Sequence, residues 1–225
     1  MYEQPVITKR STRYGSNYWH VFSPKLQRMV HFFSDLEYEH WLLVEADQTV
    51  KRFCEQPIKI DGLYNGNKVS SILDMWIERV DGSQSFVEIK YTQELDPRNK
   101  RSERAIRQTT IQRKWCEQND FNYEIKTEKD IRSNQILLDN LRMLIPNIKN
   151  QLTPNEIDQY QILKAVGKHR KSIRQLRTEL PHFFPSRLNE TIANMIYFGV
   201  LYSNIHKALL GLDTEVWIHG TQENT

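Results

Sequence analysis

Cysteine is nearly missing: Cys54 and Cys116 are the only two in 225 residues. They are too few and too far apart for a disulfide framework or a zinc site, so both are expected to be reduced packing residues. Redox chemistry and structural zinc are set aside on that ground. Long apolar runs are missing as well. No stretch reaches the roughly 18 residues a membrane span needs, and the opening MYEQPVITKRSTRYG has no apolar core of the signal-peptide kind. The expected compartment is therefore the cytoplasm. There is no internal repeat and no low-complexity tract. His31, His40 and His169 pair with no other histidine at ligand spacing and are expected to be packing or surface residues. A strong net charge is absent too: the formal value is +3, too small to establish a nucleic-acid partner by itself.

What is present begins with enough apolar and aromatic residues, 39% and 11%, to bury a core for one large domain or for one medium and one small. The charge, though small in total, is clustered. PRNKRSERAIRQTTIQRK (97–114) has Glu103 as its only acid, and KHRKSIRQLR (168–177) has none. Both read as phosphate-facing surfaces or as solvated helix faces. On the first reading the DNA contacts are Arg101, Arg104, Arg107 and Arg113 in one run, and Lys168, Arg170, Lys171 and Arg174 in the other.

LIPNIKNQLTPNEID (144–158) interrupts the pattern with two prolines and several asparagines, which places a boundary near Asn150 and predicts domains of 1–150 and 151–225. In the first, SDLEYEHWLLVEAD reads as a helix, VKRFCEQPIKI, KVSSILDMWIE and SFVEIKYT as strands, 100–118 as a basic helix and FNYEIKTEKDI as a fourth strand. That order is an α/β domain with a mixed sheet. In the second, 154–167, 171–181 and 186–199 read as short helices, with Ser186 and Gly199 starting and stopping the third, and VLYSNIHK and DTEVWIHG read as strands. Three helices and a hairpin is the order of a winged helix; a small helical domain for protein contacts fits the same order.

The strand SILDMWIE raises a chemical question. Alternation puts Ile72, Asp74 and Trp76 on one face, and Phe86, Glu88 and Lys90 on one face of its partner, so two acids and a lysine fall where a core wants hydrocarbon. For Asp74 to share a face with Glu88, facing residue numbers must sum to an even number, which needs an odd-length loop. A three- or five-residue loop centred on Gly82 in VDGSQ supplies it. Two carboxylates about 4 Å apart repel by roughly 4 kcal/mol at an effective dielectric near 20. Lys90 offsets one charge; a hard divalent ion such as Mg²⁺, which takes carboxylate oxygens and leaves positions for phosphate, resolves the rest. The constellation thus reads as a phosphodiesterase site or as a salt bridge on an exposed sheet face. In SDLE, Ser34 and Glu37 form a capping box, and the same helix start can deliver Glu37 to a metal.

Taken together, VHFFSDLEYEHWLLVEADQTVKRFCEQP, SSILDMWIE and FVEIKYTQ resemble the N-terminal half of the TnsA family, endonuclease subunits of heteromeric transposases within the PD-(D/E)xK nuclease superfamily, over roughly residues 15 to 120. The resemblance implies a restriction-endonuclease-like fold with a C-terminal winged-helix-like domain, and an active site of Glu37, Asp74, Glu88 and Lys90. Some members carry Gln where this chain has Glu88, the better metal ligand. It implies Mg²⁺, with Mn²⁺ able to substitute, held by Asp74, Glu88, the carbonyl of Ile89 and Glu37. It further implies cleavage of the 5′ ends of a transposon in a bacterial cytoplasm, double-stranded transposon ends as substrate, and as partners a DDE transposase of the TnsB type and an ATPase of the TnsC type. Two rival expectations stand beside it: a restriction or repair nuclease of the same fold that needs no partner, and a winged-helix DNA-binding or assembly subunit with a vestigial acidic face.

Overall fold

The computed structural model describes residues 2–6, 17–148 and 155–220; the side chain of Arg101 is outside that description. Contacts divide the chain into Met1–Ser133 and Asn134–Thr225.

The first unit opens with a hairpin the sequence patterning did not announce, β1 (Trp19–Ser23) and β2 (Arg28–Phe32), whose Trp19 stacks on Tyr38 of α1 (Asp35–Ala46) with ring centres 3.9 Å apart. The stretch expected as one strand from 50 to 60 is two, β3 (Val50–Glu55) and β4 (Lys59–Tyr64), and the stretch from 68 to 78 is likewise β5 (Asn67–Ile72) and β6 (Met75–Arg79). Both break at the same level. Glu55 faces Met75 and Lys59 faces Ile72, so four steps along one chain match three along the other. The extra residue is a bulge at Gln56-Pro57-Ile58, which turns the β4–β5 hairpin out of the main sheet. The hairpin lands on α2 (Glu103–Gln118) so closely that a Cβ at Gly62 would come within 3.0 Å of Ile111 Cβ.

The main sheet has the order β3-β6-β7-β8, with β7 (Gln84–Ile89) antiparallel to β6 and parallel to β8 (Asn122–Lys126), so it is mixed as expected. The parallel pair needs a crossover, and α2 supplies it. Met75 faces Val87 and Glu78 faces Gln84, which keeps the facing numbers even in sum; the loop is three residues, Val80 to Gly82. It centres on Asp81 and not on Gly82, because Gly82 is the residue that takes the positive φ, +86°. Trp76 and Phe86 face each other across the strands and are fully buried with Cys54, Leu73 and Cys116, the two cysteines being free thiols. Each ring contributes about 2–3 kcal/mol by burial. β8 ends before the 121–131 stretch does, and α3 (Glu128–Ile131) takes the remainder.

In the second unit α4 (Gln135–Ile148) runs through Pro146 and packs Leu141, Leu144 and Ile145 inward beside α7 (Pro185–Tyr197). By contacts, then, the division falls before this helix; the boundary expected near Asn150 lies outside the described residues. Two residues from its end, Pro146 forfeits a single helix bond, which the buried leucine face outweighs. α5 (Glu156–Val166), β9 (Lys171–Ser172), α6 (Ile173–Glu179), α7, β10 (Tyr202–Ser203) and β11 (Glu215–Trp217) follow, with β11 between β9 and β10. α7 starts at Pro185, with Phe184 as N-cap, so Ser186 is inside the helix and does not cap it; Gly199, at φ +71°, does stop it. Ile162, Leu176, Leu188, Ile192 and Val216 form the core. Among the described residues no helix is long and apolar enough to cross a membrane.

Candidate nuclease site

The strand break decides where Asp74 stands. It is the residue just before β6, its carbonyl accepts the Gln56 N–H at 2.9 Å, and its Oδ2 accepts the Ile89 N–H at 2.7 Å. Ile89 ends β7, and Glu88 lies opposite Asp74 by continuation of the register. Lys90 follows, its N–H tied to the Lys126 carbonyl at 3.1 Å. Its ammonium donates to Glu88 Oε1 at 2.6 Å and to the Ile89 carbonyl at 3.2 Å, and stands 4.0 Å from Asp74 Oδ2. Two carboxylates and one carbonyl therefore converge on a single cation.

Glu37 occupies the first turn of α1. Its N–H donates to Ser34 Oγ at 3.2 Å, while its own oxygens accept the Ser34 hydroxyl at 3.0 Å and the Phe33 N–H at 3.1 Å. The capping role is thus present, with Phe33 in place of Ser34 as backbone donor. Gln56 Nε2 reaches Glu37 Oε2 at 3.4 Å. Among the described residues no three His, Cys, Asp or Glu side chains are gathered as ligands for one ion; Asp74, Glu88 and the Ile89 carbonyl are grouped around the Lys90 ammonium, and Glu37 is held by its cap.

Electrostatics follow from burial. Glu88 is 1% exposed, and desolvation, then the charge of Asp74, push its carboxyl up to about 8. The same two causes raise Glu37 to about 7. Desolvation raises Asp74 as well, against the opposing pull of Lys90 and the Ile89 N–H. Burial works to lower Lys90, but Asp74 and Glu88 outweigh it and hold the ammonium above its ordinary range. The sign for stability is definite. Folded Glu37 and Glu88 keep protons that the unfolded chain has released, so this contribution is present at low pH and is lost as pH rises through about 7 and 8. His40, pushed down to about 4 by burial, acts in the opposite direction, but its effect is complete by about pH 6.5. Between pH 6.5 and 8.5 the metal-free protein is expected to lose about 2 kcal/mol, or about 5 °C of Tm, in a thermal melt. A flat or rising Tm over that window would contradict the raised carboxyls.

A residue that patterning missed completes the site. Gln112, wholly buried on the inner face of α2, donates to Glu88 Oε2 at 2.8 Å and to Ser71 Oγ at 2.9 Å, and accepts the Tyr123 hydroxyl at 2.8 Å. Its place among basic residues in QRK concealed it, since nothing in a single helix says which residue of another strand it meets. Of the basic run, Arg104 and Arg113 are exposed, Arg107 is half-buried, and the Arg113 guanidinium lies 5.4 Å from the Tyr123 ring centre. The 168–177 run behaves differently. Lys168 is exposed and Arg170 stacks over Trp217 at 4.2 Å, but Lys171 is paired with Glu179 and Arg174 is forked onto Asp213 at 3.0 and 3.1 Å. Among the histidines, His40 is buried, His31 stacks on His20 and His169 is exposed.

Residues 47–128 match the family model for the TnsA-like endonuclease N-terminal domain. This segment is similar to TnsA-like endonuclease domains. That family belongs to the PD-(D/E)xK superfamily. No curated protein matches the chain. The TnsA-like segment runs from the end of α1 into α3 and so contains Asp74, Glu88, Ile89, Lys90 and Gln112, while Glu37 precedes it.

Proposed function

We propose that this protein is the metal-dependent DNA endonuclease subunit of a heteromeric transposase, cutting the non-transferred strands at the 5′ ends of the element. The observation that carries the reading is the convergence of Glu88 Oε1, the Ile89 carbonyl and Asp74 Oδ2 on the Lys90 ammonium, inside a TnsA-like endonuclease segment. These three oxygens already surround a positive charge, and an all-oxygen set with two carboxylates fits Mg²⁺ or Mn²⁺. When bound, such an ion supplies an acidified water and neutralises charge on the phosphate.

The chain's own groups do the rest. Asp74 and Glu88 provide the anionic cradle, and the Ile89 N–H and Gln112 fix the direction of each carboxylate. Lys90, a compact ammonium directed inward, orients the attacking water and meets the charge that develops on the phosphate oxygens. Glu37, raised to about 7, holds or releases a proton near neutrality beside Asp74. Arg104, Arg107 and Arg113 on α2 supply phosphate contacts beside this face, as would Arg101 on the preceding turn. The second unit is read as a winged-helix-like module for DNA and partners, supported by its order α5-β9-α6-α7-β10-β11 and by β11 lying between β9 and β10. There Lys168, which is exposed, carries more of the phosphate contact than Lys171 and Arg174, whose charges are met by Glu179 and Asp213.

A DDE transposase of the TnsB type and a TnsC-type ATPase are the proposed partners, acting in the cytoplasm of a bacterium. The test is reconstitution on a plasmid carrying transposon ends. Cleavage at the 5′ ends is expected only with the transposase, the ATPase and Mg²⁺ or Mn²⁺ together, and to stop with a chelator. Sequence-indifferent cutting by the protein alone would point to a restriction-type nuclease, and metal-independent assembly without any cut to a DNA-binding subunit.

A further inference from the structure

Among the described residues, Gln56 contacts both Glu37 and Asp74. It follows β3 at the bulge, has φ +38°, and precedes Pro57. A side chain at positive φ is uncommon, and a following proline narrows the backbone further. Such a conformation persists only where its surroundings impose it, and it clusters at functional sites. Here it turns three groups to use. The N–H holds the Asp74 carbonyl at 2.9 Å, the carbonyl accepts the Val6 N–H at 2.9 Å, and Nε2 points to Glu37 Oε2 at 3.4 Å. The side chain is nearly enclosed, the residue being 4% exposed, yet Oε1 is buried with no hydrogen-bond partner among the described residues. Buried amide oxygens are almost always met by a donor. Charge cannot be the reason for this residue, since the amide carries none; the fixed pair of donor and acceptor is what it offers.

Resting on the nuclease reading, we infer that Gln56 is a positioning residue of the cleavage site: its amide nitrogen sets Glu37 beside Asp74, and its Oε1 takes the O–H of the water that attacks phosphorus. The water's oxygen adds to phosphorus as the bond to the leaving sugar oxygen breaks; the proton it sheds passes to the Glu37 carboxylate, and the sugar oxygen takes one up from solvent. The left-handed backbone is the means by which a residue at the end of β3 reaches both acids.

Two substitutions separate positioning from folding. Gln56→Met keeps length and removes both amide groups. Gln56→Gly removes the side chain but suits a positive φ, so it relieves the backbone. In the reconstituted reaction both are expected to lower the 5′ cleavage rate by about 10- to 100-fold, the range for residues that orient ligands from behind. The DNA concentration giving half-maximal rate should stay within about twofold of the parent, and Gln56→Gly should melt within about 3 °C of it. Mn²⁺ alone, titrated into each full-length protein and followed by electron paramagnetic resonance, should bind about 10-fold more weakly to both variants. Asp74→Ala is run in parallel. Rates within about twofold of the parent for Gln56→Met and Gln56→Gly, with Asp74→Ala inactive, would overturn the role of Gln56 and leave the site standing. A rate loss matched by unfolding, with unchanged Mn²⁺ affinity of the folded protein, would make Gln56 merely structural. Cleavage surviving in Asp74→Ala would remove the site and this assignment with it.

Discussion

Asp74→Ala is expected to abolish 5′ cleavage, by about 10³-fold or more, while 3′ joining by the partner transposase continues. The size follows from what the side chain does. It is one of the two carboxylates of the proposed donor set, and it also fixes the Ile89 N–H at 2.7 Å, which sets the carbonyl of the same residue. A single preorganised group that stabilises developing charge is worth about 10²–10³ in rate, and here a metal position is lost in addition. Stability should fall by only about 1–2 kcal/mol, the cost of one buried N–H left unpaired. If, as proposed, joining uses an active site on the partner transposase, the products should change in kind: molecules joined at the 3′ ends but still attached to donor DNA, resolved on a gel from simple insertions. Parent-like products from this variant would show the site to be misassigned.

Lys90→Met is expected to lower cleavage by about 10²-fold or more while leaving the fold intact near pH 6.5. Two effects compete. Breaking a buried ion pair by removing one partner commonly costs 3–5 kcal/mol, because a charge is left buried and unmet. Glu88 has an escape: its carboxyl is already raised to about 8, so near pH 6.5 it keeps its proton without the ammonium and stays hydrogen-bonded to Gln112 at 2.8 Å. Protonation wins below that pH, and the loss there should be under about 1 kcal/mol. Above it, holding the proton costs up to about 1.4 kcal/mol per pH unit, so the difference in Tm between variant and parent should widen from pH 6.5 to 8.5. A loss of 2–5 kcal/mol already at pH 6.5, as large as a core deletion, would make the contact a structural salt bridge.

The placement of the candidate site residues was legible because it is local. Alternation along single strands puts Asp74 in step with Trp76, and Glu88 and Lys90 in step with Phe86; an odd loop brings the two sets together, and the observed register, Trp76 opposite Phe86, has that parity. Ser34 before Glu37 announces its own helix start, and the two isolated cysteines announce packing, since they sit free in the aromatic core. What could not be read is whatever depends on a partner distant in the chain. Val50 to Ile60 reads as one strand, yet the chain bulges at Gln56-Pro57 and carries β4 and β5 onto α2, leaving Asp74 at a strand end beside Glu88 and Lys90. Gln112 is one polar residue among several on its helix until the β7–α2–β8 crossover brings it over Glu88. Lys171 and Arg174 stand in a run without acids, yet folding supplies Glu179 and Asp213. Residue type and period determine which groups exist and which face of their own element they occupy. Which groups meet is set by the packing of elements far apart in sequence, where burial energy, and no local propensity, chooses the neighbours.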